Sequence, residues 1–312
     1  MSNFKVNLSV IALSLLTAIT LTGCSNLNSN KEISDKSPLV VTTSAITADL
    51  ARKIGGDFIN VQLLVPNGYD SHTYEPKPSE IALLTDAELI VLPDLALNGS
   101  ITGLINLSGG KERILDLNSA GLERNDLIYS KTGNNSSYNP HTWTSPKLTA
   151  KWLRPLAERI IKLKGVDKEL VERNLSLLLG ELDELDIDIR SSLDKISPSN
   201  RKLIVYHDAW EYFGLEYNIP VIGAIQAAAF AEPSASELAR MVKQIKDEKV
   251  SAFFGSEVFP SDVLEALQTE TGARYIPDLA DDRLPGKLGD EYHSYIGMMR
   301  ANLSLLLEGL SE

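Results

Sequence analysis

Four histidines are the residues of this 312-residue sequence best suited to chemistry. Three of them have a similar setting. His72 lies in a loop after an apolar run, His141 precedes a helical stretch, and His207 directly follows another apolar run. Taken singly, each fits a helix cap or a surface position equally well. Brought together, three imidazoles would favour zinc, copper, nickel or iron over calcium or magnesium.

Short apolar runs alternate with helical stretches along the chain, and this pattern predicts βαβ units and a mostly parallel sheet in each half. Ser44 is a predicted cap for a helix that stops at Gly55-Gly56, and Ser234 with Glu237 forms a predicted capping box. A further helix is predicted over 79–86. The predicted strands are 39–43, 61–65, 88–92, 113–117, 202–206, 219–222, 251–254 and 273–276.

One long helix is predicted between the halves, opened by Asp167 and ended by Pro198. At 1.5 Å per residue it would be roughly 45 Å long. A coiled coil is the alternative interpretation. The apolar positions are Val171, Leu175, Leu178, Leu182, Leu185, Ile189, Leu193 and Ile196. The sequence thus predicts an α/β fold of two lobes with mostly parallel, helix-flanked sheets, comprising residues 39–165 and 198–312 and joined by a connecting helix over 166–197.

The first 23 residues predict a secretory signal peptide, because their apolar stretch of about 12 residues is too short to span a bilayer. This stretch runs into Leu21-Thr22-Gly23-Cys24, which resembles a bacterial lipobox, and Cys24 is the only cysteine of the chain. We therefore expect lipidation at Cys24 and a polar tether over 24–38. The predicted location is the cell membrane, with the protein lipid-anchored and extracytoplasmic.

The charge balance excludes some partners. The chain has a formal net charge of −12, and removal of the predicted signal peptide takes away one lysine. An acidic surface argues against nucleic acid and anionic lipid but does not repel cations. The sequence contains neither a His-Glu-x-x-His helix nor a Gly-x-Ser-x-Gly turn, so a secreted zinc hydrolase is disfavoured and the chain is predicted not to be an enzyme.

Several segments together resemble the zinc and manganese solute-binding lipoproteins of bacterial ABC importers. The matching segments are Leu64-Val65-Pro66, Asp70 to Pro76, Asn139 to Trp143, Tyr206 to Trp210, Glu232-Pro233-Ser234 and Ser294 to Met299. The resemblance implies two lobes joined by a long helix. It also implies a metal ion held between them by four protein ligands.

By this resemblance His72 and His141 are the ligands of the first lobe. The third position, His in zinc-type members and Glu in many manganese-type members, is His207. The fourth is an aspartate before the C-terminal helix, here Asp278, Asp281 or Asp282. Asp282 is preferred because a leucine follows two residues later. His293 has no ligand role, and Glu257 is either a neighbour of the site or part of a salt bridge.

The function implied is capture of zinc and its delivery to the permease and ATPase of an ABC importer, by a protein that acts as a monomer. A manganese-specific binding protein of the same type and a surface adhesin are the alternatives. Zinc-type members often carry a His-rich loop between the first two ligands, but residues 118–138 contain no histidine. Trp143 and Trp210 adjoin ligand histidines and are expected either to shield the ion from water or to fill the core.

Overall fold

Two four-stranded parallel sheets, one from each half of the chain, form the framework. The computed structural model describes residues 37–129, 137–226, 233–256 and 262–311. The first sheet comprises β1 (Leu39–Thr42), β2 (Asn60–Leu63), β3 (Leu89–Leu92) and β4 (Ile114–Asp116). The second comprises β5 (Leu203–His207), β6 (Val221–Gln226), β7 (Ala252–Ser256) and β8 (Arg274–Leu279). Their orders, β2-β1-β3-β4 and β6-β5-β7-β8, are the same topology used twice, and the predicted fold class is confirmed.

Helices connect and flank the strands. In the first half these are α1 (Ala45–Gly55), α2 (Pro78–Asp86), α3 (Gly99–Leu107) and α4 (Leu117–Gly121). Between the two sheets in sequence lie α5 (Pro146–Ile161) and α6 (Lys168–Leu193). The second half adds α7 (Glu211–Glu216), α8 (Ala235–Asp247), α9 (Asp262–Thr271) and α10 (Tyr295–Leu310). Within the described ranges, no helix is long and apolar enough to cross a bilayer.

The predicted helix starts and stops are largely confirmed. The Ser44 hydroxyl accepts a hydrogen bond from the Thr47 amide, and Ser234 and Glu237 form the expected capping box. The first helix ends at Gly55, and Gly56 follows with a φ of 55°, a left-handed conformation that glycine adopts without steric cost. Local sequence signals were therefore sufficient to place these boundaries.

The long helix α6 begins as predicted but ends early. The Asp167 carboxylate accepts from two amides of its first turn. The helix stops at Leu193, three residues before the predicted last apolar position, Ile196. There the chain tightens into a turn in which the Ile196 amide bonds to the Leu193 carbonyl, and Arg201 donates to the carbonyls of Asp194 and Ile196. The guanidinium thus satisfies terminal carbonyls that a longer helix would have bonded internally.

A single hydrophobic core joins the two halves. The apolar stripe of α6 lies in this central cluster together with residues from both sheets, and α6 packs against α1, α5 and α10. A smaller cluster covers the opposite face of each sheet. The stripe is therefore buried within the protein and is not the seam of a coiled coil. The predicted lobe boundaries at 165/166 and 197/198 stay a prediction, because the shared core does not mark them.

The C-terminal helix is fastened to the first half by polar contacts. Asp49 on α1 accepts a hydrogen bond from the Tyr295 amide, at 2.8 Å, in the first turn of α10. The Tyr295 hydroxyl, which is buried, donates to the Trp143 carbonyl at 2.8 Å and accepts from the Thr149 hydroxyl at 3.0 Å. These contacts join segments that are far apart in sequence and fix where the chain before α10 must run.

Truncation of the α6 stripe should destabilise the whole protein. Leu182 is 1% exposed and lies in the middle of the stripe, whereas Leu177 on the same helix is 62% exposed. We expect Leu182→Ala to lower the free energy of unfolding by about 2–5 kcal/mol, the usual result of a buried leucine truncation. Leu177→Ala should change it by less than about 0.5 kcal/mol. Urea unfolding of the two variants measures this difference, and equal effects would contradict the packing described.

Asp49 should make stability depend on pH. Burial raises the pKa of Asp49, although the Tyr295 amide, Lys53 and Arg52 act in the opposite direction. A carboxyl whose pKa is raised on folding contributes its stability below the unfolded pKa and loses it as pH rises through the folded pKa. Asp49→Asn keeps an acceptor for the Tyr295 amide and cannot ionise. Its unfolding free energy, relative to wild type, should therefore increase between about pH 4 and pH 7.

The matched control is Asp49→Ala, which loses the acceptor as well as the charge. It should be less stable than Asp49→Asn at both pH values, since the Tyr295 amide loses its partner. The difference in unfolding free energy between Asp49→Asn and wild type could instead stay constant or shrink as pH rises. That result would show that burial does not raise the pKa of Asp49.

Candidate metal centre

The three predicted histidines converge at the carboxyl ends of the strands. His207 is the last residue of β5, and His72 lies in the loop that follows β2. His141 immediately precedes a 3-10 turn that leads into α5. Asp282 lies three residues after the end of β8. Parallel α/β sheets place ligand sites at this edge of the strands, and the structure brings residues from both halves together here.

The donor atoms of these four residues form a compact group. One ligand atom from each of His72, His141, His207 and Asp282 can be chosen so that all lie within 4.8 Å of one another. The His72 Nε2 atom is 3.0 Å from His141 Nε2 and 3.4 Å from Asp282 Oδ2. Asp282 Oδ2 is in turn 3.9 Å from His207 Nδ1.

This spacing suits a small tetrahedral ion. Metal–ligand bonds of about 2.0–2.1 Å in a tetrahedron place neighbouring ligand atoms roughly 3.3 Å apart. The side chains of His72 and Asp282 are 4% and 1% exposed, and His141 and His207 are buried as well. The four side chains could therefore hold one divalent ion away from bulk water.

Asn139 fixes the orientation of His141. The Asn139 Oδ1 atom lies 2.7 Å from His141 Nδ1 and also accepts from the His141 amide at 3.1 Å. An amide oxygen can only accept, so Nδ1 carries the proton and Nε2 presents a lone pair to the centre. The Nδ2 atom of Asn139 donates to the carbonyl of Asp208, a residue of the second half, at 2.9 Å. Sequence reasoning placed Asn139 in a motif but gave it no role.

The loop that carries His72 is held by side chains on both sides. The Asp70 carboxylate accepts from the His72 amide at 2.8 Å and from the Thr73 hydroxyl at 2.5 Å, which closes a tight turn. Asn98, at the start of α3, donates from Nδ2 to the carbonyls of Ser71 and Tyr74. His72 is thus positioned by its own loop and by a neighbouring helix.

The three candidate aspartates occupy different environments. The Asp278 side chain is 73% exposed and lies 4.0 Å from an Arg283 nitrogen, outside the group. Asp281 is buried with its Oδ2 atom 3.2 Å from His207 Nδ1, and its carbonyl accepts from the indole of Trp143 at 2.6 Å. Asp282 supplies the oxygen that belongs to the four-atom group. The buried contact between Asp281 and His207 was not predicted.

The electrostatics of the centre favour a cation. Burial lowers the pKa of His141 well below its usual value, and the neighbouring His207 and His72 lower it further. Burial acts to raise the pKa of Asp282, but interaction with His72 and the other histidines outweighs it and the pKa lies below its usual range. A neutral imidazole beside an ionised carboxylate is the protonation state that binds a metal ion.

Among the described residues, His293, Trp143 and Trp210 were also singled out from the sequence and are not members of this group. His293 donates from Nδ1 to the Pro285 carbonyl at 3.0 Å, which agrees with a structural role. Trp143 packs against His141 with ring centroids 5.0 Å apart, whereas Trp210 packs against Phe213 in the core. Cys24 and Glu257 fall outside the residues that the structure describes.

The chain is similar to known proteins over nearly its whole length. Residues 40–309 match the family model described as "Zinc-uptake complex component A periplasmic". The chain is 28% identical to a metal ABC transporter substrate-binding lipoprotein of Lactococcus lactis, over 98% of each chain. It is 27% identical to the manganese ABC transporter substrate-binding lipoprotein scaA of Streptococcus gordonii, over 97% of this chain and 98% of that protein.

The fold has a solved counterpart. The periplasmic zinc-binding protein TroA of Treponema pallidum superposes with a TM-score of 0.81 at 23% identity, over 88% of this chain and all of that one. The chain therefore belongs to the family of periplasmic components A of zinc-uptake complexes, and the relationship predicted from its motifs is confirmed. It is a metal-binding, substrate-binding component of an ABC-type uptake system and has a binding role, not an enzymatic one.

The three aspartates provide a graded test of the centre. Asp282→Asn replaces the ionised carboxylate of the group by a neutral amide, so zinc affinity should fall by more than about a hundredfold. Asp281→Asn removes only the carboxylate beside His207, and a loss of roughly 10–100-fold is expected for such a partner. Asp278→Asn, at an exposed site, should leave affinity unchanged. Competition with a chromogenic zinc chelator measures all three, and a larger effect of Asp281→Asn than of Asp282→Asn would reverse the assignment.

Proposed function

We propose that this protein captures a zinc ion with His72, His141, His207 and Asp282 and delivers it to an ABC importer. The observation that carries the proposal is the group of four buried donor atoms within 4.8 Å of one another. Three imidazoles and one carboxylate make a closed four-coordinate set, whereas a catalytic zinc keeps one position open for water. A closed set suits an ion that is cargo.

The donor types favour zinc. Imidazole nitrogen suits zinc better than manganese, which prefers more oxygen ligands, and the general affinity order places zinc above manganese at a nitrogen-rich site. Manganese is the second candidate. The Asp281 carboxylate, 3.2 Å from His207, offers further oxygen atoms close to the group, and one relative is named a manganese transporter component.

Delivery requires a partner and a location. We propose that the protein is anchored through a lipid on Cys24 at the outer face of the cell membrane, that it acts as a monomer, and that it docks on the permease of an importer driven by an ATPase. The lipobox-like segment before Cys24 supports the anchor, as do relatives that are named lipoproteins. The net charge of −12 leaves nucleic acid without support as a partner.

Thermal unfolding of the chelator-stripped protein with added zinc or manganese tests the cargo. An ion at a thousand times its dissociation constant stabilises the folded state by about 4 kcal/mol. For a domain of this size, that raises the unfolding temperature by roughly 8–16 °C. Zinc should raise the unfolding temperature far more than manganese does. His207→Glu replaces a nitrogen ligand by oxygen and should narrow that gap.

His293→Gln is the matched control, because His293 lies outside the group of donor atoms. It should respond to both ions as the wild type does. A larger shift with manganese than with zinc would favour the second candidate. No shift with either ion would mean that these four residues do not form a metal site.

A further inference from the structure

Two asparagines hold the loop that carries Asp282, and they do so in the same way. The Asn302 side chain on α10 accepts from the Ala280 amide at 2.8 Å and donates to the Ala280 carbonyl at 2.7 Å. The Asn67 side chain accepts from the Leu284 amide at 2.9 Å and donates to the Leu284 carbonyl at 2.8 Å. Ala280 lies two residues before Asp282 and Leu284 two residues after it, so the aspartate sits midway between two fixed points.

The orientation of both amides is unambiguous. A backbone N–H only donates and a backbone carbonyl only accepts, so the oxygen of each asparagine must face the first and its nitrogen the second. Each asparagine therefore satisfies both polar groups of one residue. Leu284 is 2% exposed, which shields its pair with Asn67 from competing water.

The two asparagines belong to different halves of the protein. Asn302 lies on α10, close in sequence to the loop that it holds. Asn67 lies in the first half, after β2 and five residues before His72. The pair of hydrogen bonds between Asn67 and Leu284 thus links the loop that carries one proposed ligand directly to the loop that carries another.

Among the contacts that hold this loop, the one made by Asn67 can be removed with the least disturbance to the hydrophobic core. Trp143 makes a comparable link through the Asp281 carbonyl, but its ring fills the core and packs on His141. The Asn67 side chain is half-buried, and in the described part of the chain its hydrogen bonds are those to Leu284. The Asn67 side chain therefore acts on Asp282 only through the backbone of the loop.

We propose that Asn67 is a positioning residue for Asp282 and limits the rate at which the bound ion is released. This inference rests on the proposed function. Release requires that Asp282 withdraw or that the two loops separate, and either movement of the loop strains or breaks the Asn67–Leu284 pair. Loss of two shielded hydrogen bonds should therefore make release roughly tenfold faster or more.

Stopped-flow mixing of the zinc-loaded protein with excess chelator measures the release rate. Asn67→Ala should release zinc roughly tenfold faster than wild type. Asn67→Asp keeps the shape and the acceptor for the Leu284 amide but turns an oxygen towards the Leu284 carbonyl, so it should release zinc at least as fast as the alanine variant. Asn174→Ala is the control, since it removes a side-chain bond to the Ile54 carbonyl far from this loop, and its rate should match wild type.

A cobalt-loaded sample separates positioning from simple destabilisation. The visible absorption of bound Co²⁺ reports its ligand geometry and should differ between Asn67→Ala and wild type if Asp282 shifts. A variant that unfolds at a lower temperature but keeps the wild-type release rate and cobalt spectrum would overturn the positioning role alone. A wild-type protein that fails to retain zinc at all would overturn this inference together with the proposed function.

Discussion

The structure depends on the close approach of three imidazoles and a carboxylate in a place without bulk water. The Nε2 atom of His72 lies 3.0 Å from Nε2 of His141 and 3.4 Å from Oδ2 of Asp282. Buried polar groups at this spacing are costly unless a proton or a cation lies between them. A divalent ion would satisfy all four groups at once, and the neighbouring hydrogen bonds hold the four side chains in this arrangement.

The fold meets this requirement by bringing two carboxyl edges together. Each sheet has the same strand order, so each presents the loops after its strands at an equivalent edge. The α6 stripe packs in one hydrophobic cluster with residues of both sheets. This shared core fixes the position of one sheet relative to the other. Three of the four proposed ligands lie in loops, and side-chain hydrogen bonds to Asn139, Asp70 and Asn302 give those loops the order that loops otherwise lack.

Periodicity and end signals were sufficient to predict all eight strands to within a few residues, the stripe of α6 and the type of fold. The three histidines could be selected because histidine is scarce and each followed a strand or preceded a helix. The early end of α6 could not be predicted, since it depends on Arg201 reaching back to the carbonyls of Asp194 and Ile196. Nor could the pairing of Asn67 with Leu284, which joins residues 217 positions apart through a backbone that any residue would provide.

The same core bears on how an ion could leave. A wide rotation of one half against the other would expose the apolar stripe of α6 and the residues that pack on it, and removal of apolar surface from contact is costly in proportion to its area. Movement of the loop between Ala280 and Leu284 would break the hydrogen bonds at its two ends and the one from Trp143 but would leave the α6 stripe covered, so it costs less. The lower free-energy cost therefore favours release of the ion by movement of this loop, while the two sheets stay in place.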